Sequence, residues 1–327
     1  MALDILTGEE VRSCVSMEAC IDLMVETMRG VSGGEARLPA RSVVALDDAG
    51  NLLLDMPGAI DRPAVFGSKL LSYFPANSTL PMIQGVIILF EASTGRPVAV
   101  IDAVSVTALR TAAASGMATR LLAREDASTL AILGTGVQAE HHLRAMRAVR
   151  SIKRVAVWGR TPENAQAFAA RHRGSAGIEI VAVTDARIAV EPADIVCTVT
   201  ASPTPILEGS WLKPGAHLNL VGAFTPKTRE ADTQAIRQSR LFVEIREFAL
   251  REAGEILIPI GEGALTAAHI AGEIGEVVAG KIVGRTRPDE ITAYKSLGNV
   301  AQDLATAAHA YATIKKTTGI PGTGGRI

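Results

Sequence analysis

The sharpest chemical signal in the chain is the run Gly134-Thr135-Gly136-Val137-Gln138-Ala139. It follows the apolar stretch TLAIL at 129–133 and opens a helical pattern. In this GxGxxA turn the first glycine permits the tight bend and the second lets the backbone approach a pyrophosphate. The small third residue lets helix pack on strand, and the helix N-terminus faces the phosphates. Glycine turns also arise for packing reasons alone. Here a strand before, a helix after and a second strand about 20 residues on supply the context that dinucleotide binding requires. That second strand ends Val157-Trp158-Gly159-Arg160-Thr161, with no carboxylate to hold a ribose 2′-hydroxyl. Arg160 can pair with a 2′-phosphate and Thr161 can donate to it, the plain alternative being a surface arginine. These residues favour NADP(H), with NAD(H) as the alternative.

Other reactive residue types carry less. His141 and His142 sit on the helix after the glycine turn, where they are expected to flank the domain surface, and they lack partners at metal-ligand spacing. No metal site is expected. Ser115, Ser202 and Ser296 have no nearby His/Asp arrangement, and Asp102 and Asp303 read as structural. Cys14, Cys20 and Cys197 form no CxxC pair, and an odd count argues against a disulfide framework.

The elements that position these residues form two blocks. Val11, Val15, Ile21, Met24, Val25 and Met28 recur at helical spacing. Segments 37–46 and 51–56 read as strands around the turn Asp47-Asp48-Ala49-Gly50, followed by strands at 66–73, 85–90 and 98–102. The last two form a hairpin through Ser93–Pro97, so helices plus an antiparallel sheet are predicted for the first hundred residues. An alanine-rich, proline-free helix at 105–123 bridges to a second block of strand–helix alternation. Its strands are expected at 129–133, 155–158, 178–183, 194–200, 217–223 and 241–245, with helices at 140–149 and 162–173. Repeated βα units predict a parallel, doubly wound sheet. The tail GIPGTGGRI has the composition of a frayed terminus.

Composition bounds the function. The 327 residues suit two domains, and 48% hydrophobic content with only 4% aromatics suits α/β layers built from branched aliphatics. A net charge of −1 and a pI near 6.6 offer no field for nucleic acid or an anionic membrane. The apolar runs are strand-sized, and the N-terminus does not read as a signal peptide. A cytoplasmic enzyme acting on a small molecule is expected.

Ordered motifs along nearly the whole chain resemble the ornithine cyclodeaminase/μ-crystallin family. They include GSKLLSYFPANSTLP at 67–81, TALRTAAAS at 107–115, GTGVQAEHH at 134–142, ADIVCTVTASPTPIL at 193–207, LKPGAHLNLVGA at 212–223 and ITAYKSLGNVAQDLA at 291–305. The resemblance implies a Rossmann-type doubly wound parallel sheet plus an α+β substrate-binding and dimerisation domain. The latter is expected over 1–121 with 299–327 and the Rossmann domain over 122–298, the whole assembling as a homodimer. It also implies that Arg41, Lys69 and Arg110 bind a substrate carboxylate, for which fixed cations are the natural cradle. Ser296, in Lys295-Ser296-Leu297-Gly298, matches a turn that borders the nicotinamide.

Two departures matter. The cyclodeaminase branch carries an aspartate where this chain has Ala223, and a glutamate where it has Leu54, beside Asp55. Alanine cannot act as the base that ornithine cyclodeamination needs. The form GAFTPxxREAD resembles members that reduce Δ1-pyrroline-2-carboxylate or Δ1-piperideine-2-carboxylate to L-proline or L-pipecolate. Lys69, Arg110 and Thr225 are then the expected catalytic residues, with Thr225 or, more weakly, Asp55 serving the imine nitrogen. The alternatives are an alanine dehydrogenase or other imino-acid reductase, an ornithine cyclodeaminase, or an NADPH-dependent binding protein without turnover.

Overall fold

The computed structural model describes residues 3–174 and 177–318, so the tail 319–327 lies outside the described residues. Contacts divide the chain into two units. One holds the residues up to Arg110 together with those from Gly298 onward; the other is Thr111–Leu297. These divisions fall at 110/111 and 297/298, whereas the sequence placed them at 121/122 and 298/299. The first lies inside the helix Ala103–Leu122, whose uniform alanine-rich pattern gives no mark of it.

The first unit is a seven-stranded mixed sheet with helices. The strands Leu52–Asp61, Ala64–Tyr73, Ile83–Glu91 and Pro97–Asp102 form an antiparallel meander. Ala36–Arg37 and Ser42–Ala45 both pair antiparallel with Leu52–Asp61, so the expected strand 37–46 is two short ones. The edge strand Asp4–Leu6 runs parallel to Pro97–Asp102, a departure from the all-antiparallel expectation. The helix Val300–Thr318 packs on the three longest strands and against the helices Gly8–Cys14 and Met17–Ser32. Alternation along each strand turns Met56, Lys69 and Ile87 onto the face that this helix covers.

The second unit holds an eight-stranded, wholly parallel sheet. Its strands are near-continuous apolar runs, as parallel strands covered on both faces require. From Thr129–Leu133 the chain builds outward through Arg154–Trp158 and Glu179–Val183. It then returns to lay Ile195–Thr198 on the other side of Thr129–Leu133, followed by His217–Leu220. The order thus reverses between Thr129–Leu133 and Ile195–Thr198, the switch point of a doubly wound sheet. The far side is completed by Ile291–Lys295, Ser239–Val243 and Ile270–Glu273. The first and last of these three were not expected from sequence.

Candidate active site

In the first unit three chain segments bring charge to one buried place. Lys69 comes from the strand Ala64–Tyr73, Arg110 from the helix Ala103–Leu122 and Asp303 from the first turn of Val300–Thr318. Asp303 Oδ2 accepts from Lys69 Nζ at 2.8 Å and Oδ1 from Arg110 Nε at 3.0 Å. Lys69 also donates to Thr107 Oγ1 at 3.2 Å, and Arg110 Nη1 to Gln302 Oε1 at 3.0 Å. Lys69, Arg110 and Asp303 are all buried. Burial pushes the Lys69 ammonium down to about 8, with Arg110 and Arg41 adding to the fall and Asp303 opposing it. Burial alone would raise the Asp303 carboxyl, but Arg110 and Lys69 outweigh it and hold it below the usual range. Two cations against one carboxylate leave a positive charge over, which a ligand carboxylate would neutralise.

Arg41 precedes the strand Ser42–Ala45 in the same unit, half-buried and close enough for its charge to act on Lys69. Gly298, at φ +76°, lies against the Arg110 guanidinium, and a Cβ there would collide with its terminal nitrogens. Asp55 does not join the group. It is one residue from Met56 on the pleat, so it faces the opposite side of the sheet from Lys69, where Ser68 Oγ donates to it. It is thereby removed as a partner of Lys69 and Arg110 within one chain. Asp303, read from sequence as structural, is the common partner of both expected cations. Asp102 does serve structure, accepting from Ser105 N at 2.7 Å at the start of the helix Ala103–Leu122.

In the second unit the glycine turn stands at the switch point. Gly134 has φ +133°, and a Cβ on it would meet Val199 O at 2.7 Å, so only glycine fits. Around Gly136 a Cβ would meet nothing, leaving the backbone open to a ligand. Gly136 caps the helix Val137–Val149 with no side-chain bond, and Gln138 Oε1 is buried with no partner among the described residues. Ala139 is fully buried beneath the turn. An open helix N-terminus over a close-packed glycine turn fits a dinucleotide pyrophosphate. Thr135 lies beside Gly159, so Arg160 and Thr161, both exposed, flank the same turn at the end of Arg154–Trp158.

Thr225 is half-buried and shares a hydrogen bond of 2.8 Å with Thr228 Oγ1. Its loop is braced by ionic groups that sequence reasoning missed. Glu230 accepts from Thr200 N and Oγ1, both at 2.6 Å, and from Gly222 N at 2.7 Å. Lys295 donates to Ala223 O at 2.5 Å and pairs with Glu255 at 3.1 Å. Burial raises the Glu230 carboxyl above its usual range. The Ser296 hydroxyl is buried and donates to Glu244 Oε1 at 3.0 Å, so its one donor is already committed. His142, expected at the surface, is fully buried between Ser115 Oγ at 2.9 Å and Gln138 O at 2.8 Å. Among the described residues no three His, Cys, Asp or Glu side chains are grouped to hold a metal ion.

A doubly wound parallel sheet with this turn at its switch point defines the class: an α/β oxidoreductase of the dinucleotide-binding kind. Within that class the chain belongs to the ornithine cyclodeaminase/mu-crystallin family, whose model matches residues 1–318. It is 33% identical over 310 residues to a Δ1-pyrroline-2-carboxylate reductase of Bacillus cereus, covering 94% of this chain and 95% of the relative. It is 38% identical over 285 residues to the ketimine reductase mu-crystallin of Mus musculus, covering 86% and 87%. Among solved structures it resembles Thermococcus litoralis Δ1-pyrroline-2-carboxylate reductase in complex with NADH and L-proline. The TM-score there is 0.93 at 35% identity, covering 97% of this chain and 99% of that one. The family and fold expected from sequence are those found.

Proposed function

We propose that this chain reduces a cyclic ketimine carboxylate, Δ1-pyrroline-2-carboxylate or Δ1-piperideine-2-carboxylate, to L-proline or L-pipecolate with NAD(P)H. The observation that carries the reading is the buried pair Lys69 and Arg110, sharing Asp303 with one positive charge over, in a chain 33% identical to a Δ1-pyrroline-2-carboxylate reductase. Ala223, buried where the cyclodeaminase branch has its aspartate, supports reduction over deamination.

In this reading Lys69, Arg110 and Arg41 hold the substrate carboxylate and so fix the orientation of the ring. The protonated imine carbon is electrophilic, and Thr225 serves the imine nitrogen directly or through a water. Bound NAD(P)H supplies the hydride; with the proton already on nitrogen, this completes the amine. The turn 134–139 holds the pyrophosphate, and the turn carrying Ser296 borders the nicotinamide. Arg160 and Thr161 bind a 2′-phosphate, making NADP(H) the preferred cofactor over NAD(H). The first unit serves substrate binding and dimerisation, the second cofactor binding, and the protein works as a cytoplasmic homodimer. No helix among the described residues is long and apolar enough to cross a membrane.

The test follows oxidation of NADPH and NADH with Δ1-pyrroline-2-carboxylate, beside controls with pyruvate plus ammonia and with ornithine plus NAD. Oxidation with the cyclic imine alone, faster with NADPH, is expected. Turnover only with pyruvate and ammonia would identify an alanine dehydrogenase, and ammonia release from ornithine would overturn the argument from Ala223. In the same assay Arg110→Ala is expected to lower kcat/KM by at least about a hundredfold, as loss of a buried charged bond to substrate does.

A further inference from the structure

Two cations bind a carboxylate well when their head groups are fixed before it arrives. Neither side chain provides that alone, since both carry long stems with many accessible rotamers. In this chain both head groups end on one carboxylate. Asp303 Oδ2 holds Lys69 Nζ at 2.8 Å, Oδ1 holds Arg110 Nε at 3.0 Å, and Asp303 is 0% exposed. Bonding at Nε rather than at the terminal nitrogens leaves the end of the guanidinium for other partners. Gln302 takes one donor of Nη1, and Gly298 lies against both terminal nitrogens.

We propose that Asp303 is the positioning residue of the substrate-carboxylate clamp: its two oxygens fix Lys69 Nζ and Arg110 Nε, setting their other N–H donors for the ligand. This rests on the reading of Lys69 and Arg110 as the clamp of a ketimine reductase. Asp303 also decides the charge of Lys69. The groups facing that ammonium are Arg110 from the helix Ala103–Leu122, Arg41 from the segment before Ser42–Ala45, neutral Thr107, and Asp303 from Val300–Thr318. Asp303 alone among these is attractive. Without it the ammonium faces two arginines in a buried place and gives up its proton at lower pH.

The test uses the full-length protein and Asp303→Asn, with Gly298→Ala as second variant. Gly298→Ala displaces the guanidinium without changing any charge. For Asp303→Asn, KM for Δ1-pyrroline-2-carboxylate is expected to rise at least about tenfold with a smaller change in kcat. The alkaline limb of kcat/KM should move to lower pH by about one unit, while the Kd for NADPH stays within about twofold. Gly298→Ala should raise KM and leave the alkaline limb in place. An unchanged KM and limb in Asp303→Asn would overturn the proposal. So would equal losses of NADPH and imine binding with no pH shift, the pattern of a merely structural residue. Should Asp303→Asn fail to fold, an unchanged KM in Gly298→Ala overturns it. A wild-type protein inactive on every cyclic imine would instead sink the functional reading. Titration of Lys69 Nζ by NMR in 15N-lysine-labelled protein then decides the proposal without substrate, and an identical Lys69 titration in wild type and Asp303→Asn would overturn it.

Discussion

Arg160 follows the strand Arg154–Trp158 by two positions and is exposed beside the glycine turn, with Gly159 pressed on Thr135. No acid occupies the end of that strand to hold a ribose hydroxyl. A guanidinium bond to a phosphate contributes about 1.5–3 kcal/mol, a factor of roughly ten to a hundred. Arg160→Ser is therefore expected to raise KM for NADPH by that factor while NADH changes by less than about threefold. Steady-state kinetics with both cofactors check this, and equal losses with both would place Arg160 away from the ribose. At this scale the glycine turn was legible because residue type and neighbours together restrict its chemistry, whereas Lys69 and Arg110 were singled out only by the family resemblance. Asp303 was legible by neither route. Its partners Arg110 and Lys69 lie 193 and 234 positions away, and one acid in the first turn of an alanine-rich helix looks like any helix-start acid.

Two helices carry much of what the sequence hid. The helix Ala103–Leu122 ends on guanidinium groups. Arg150 donates to the carbonyls of Thr119, Arg120, Ala123 and Arg124, and Arg285 to that of Leu122. Cations there satisfy orphan carbonyls and oppose the negative end of the helix dipole. Against this helix packs Val137–Val149, joined through His142 and Ser115. Because His142 Nδ1 must donate to the Gln138 carbonyl, Nε2 accepts from the Ser115 hydroxyl, and the imidazole is neutral. Burial pushes His142 down to about 4, and burial with Arg285 and Arg150 pushes His217 down to about 3. Below pH 6.5 the unfolded chain binds protons that the fold refuses, so stability falls as pH drops toward 4. For His142 alone the loss is about 3 kcal/mol once pH 4 is reached. His142→Gln is expected to cost stability at pH 7, with the gap to wild type narrowing toward pH 4.5. Thermal melting across that range tests it, and a gap independent of pH would show that His142 does not resist protonation. The parallel strands themselves were legible as apolar runs bounded by turns. Asp4–Leu6, Ile270–Glu273 and Ile291–Lys295 were missed because they are short, or end in a charge whose burial depends on a distant partner such as Glu255.

At the scale of the whole molecule the question is what covers the first unit's sheet. One face holds Met56, Lys69 and Ile87 under the helix Val300–Thr318. Alternation sends Val44, Leu53, Phe66, Leu70, Val86, Ile88 and Phe90 to the other face. Phe66 and Phe90 stack there at 5.0 Å, and Val44, Leu53 and Val86 are 52%, 39% and 37% exposed. A largely apolar sheet face of this kind, interrupted by the Asp55–Ser68 pair, is a candidate interaction surface. The family resemblance implies a second copy, and a net charge of −1 offers little repulsion between copies. A twofold interface uses the same patch on both copies, so one substitution acts twice. Light scattering is expected to give twice the chain mass for wild type. Leu53→Lys with Val86→Lys should give the single mass, since it buries like charges from both copies and costs several kcal/mol of association. A wild type that is monomeric at micromolar concentration would sink the dimer. A doubly substituted protein that stays dimeric would keep the dimer and move its interface away from this face.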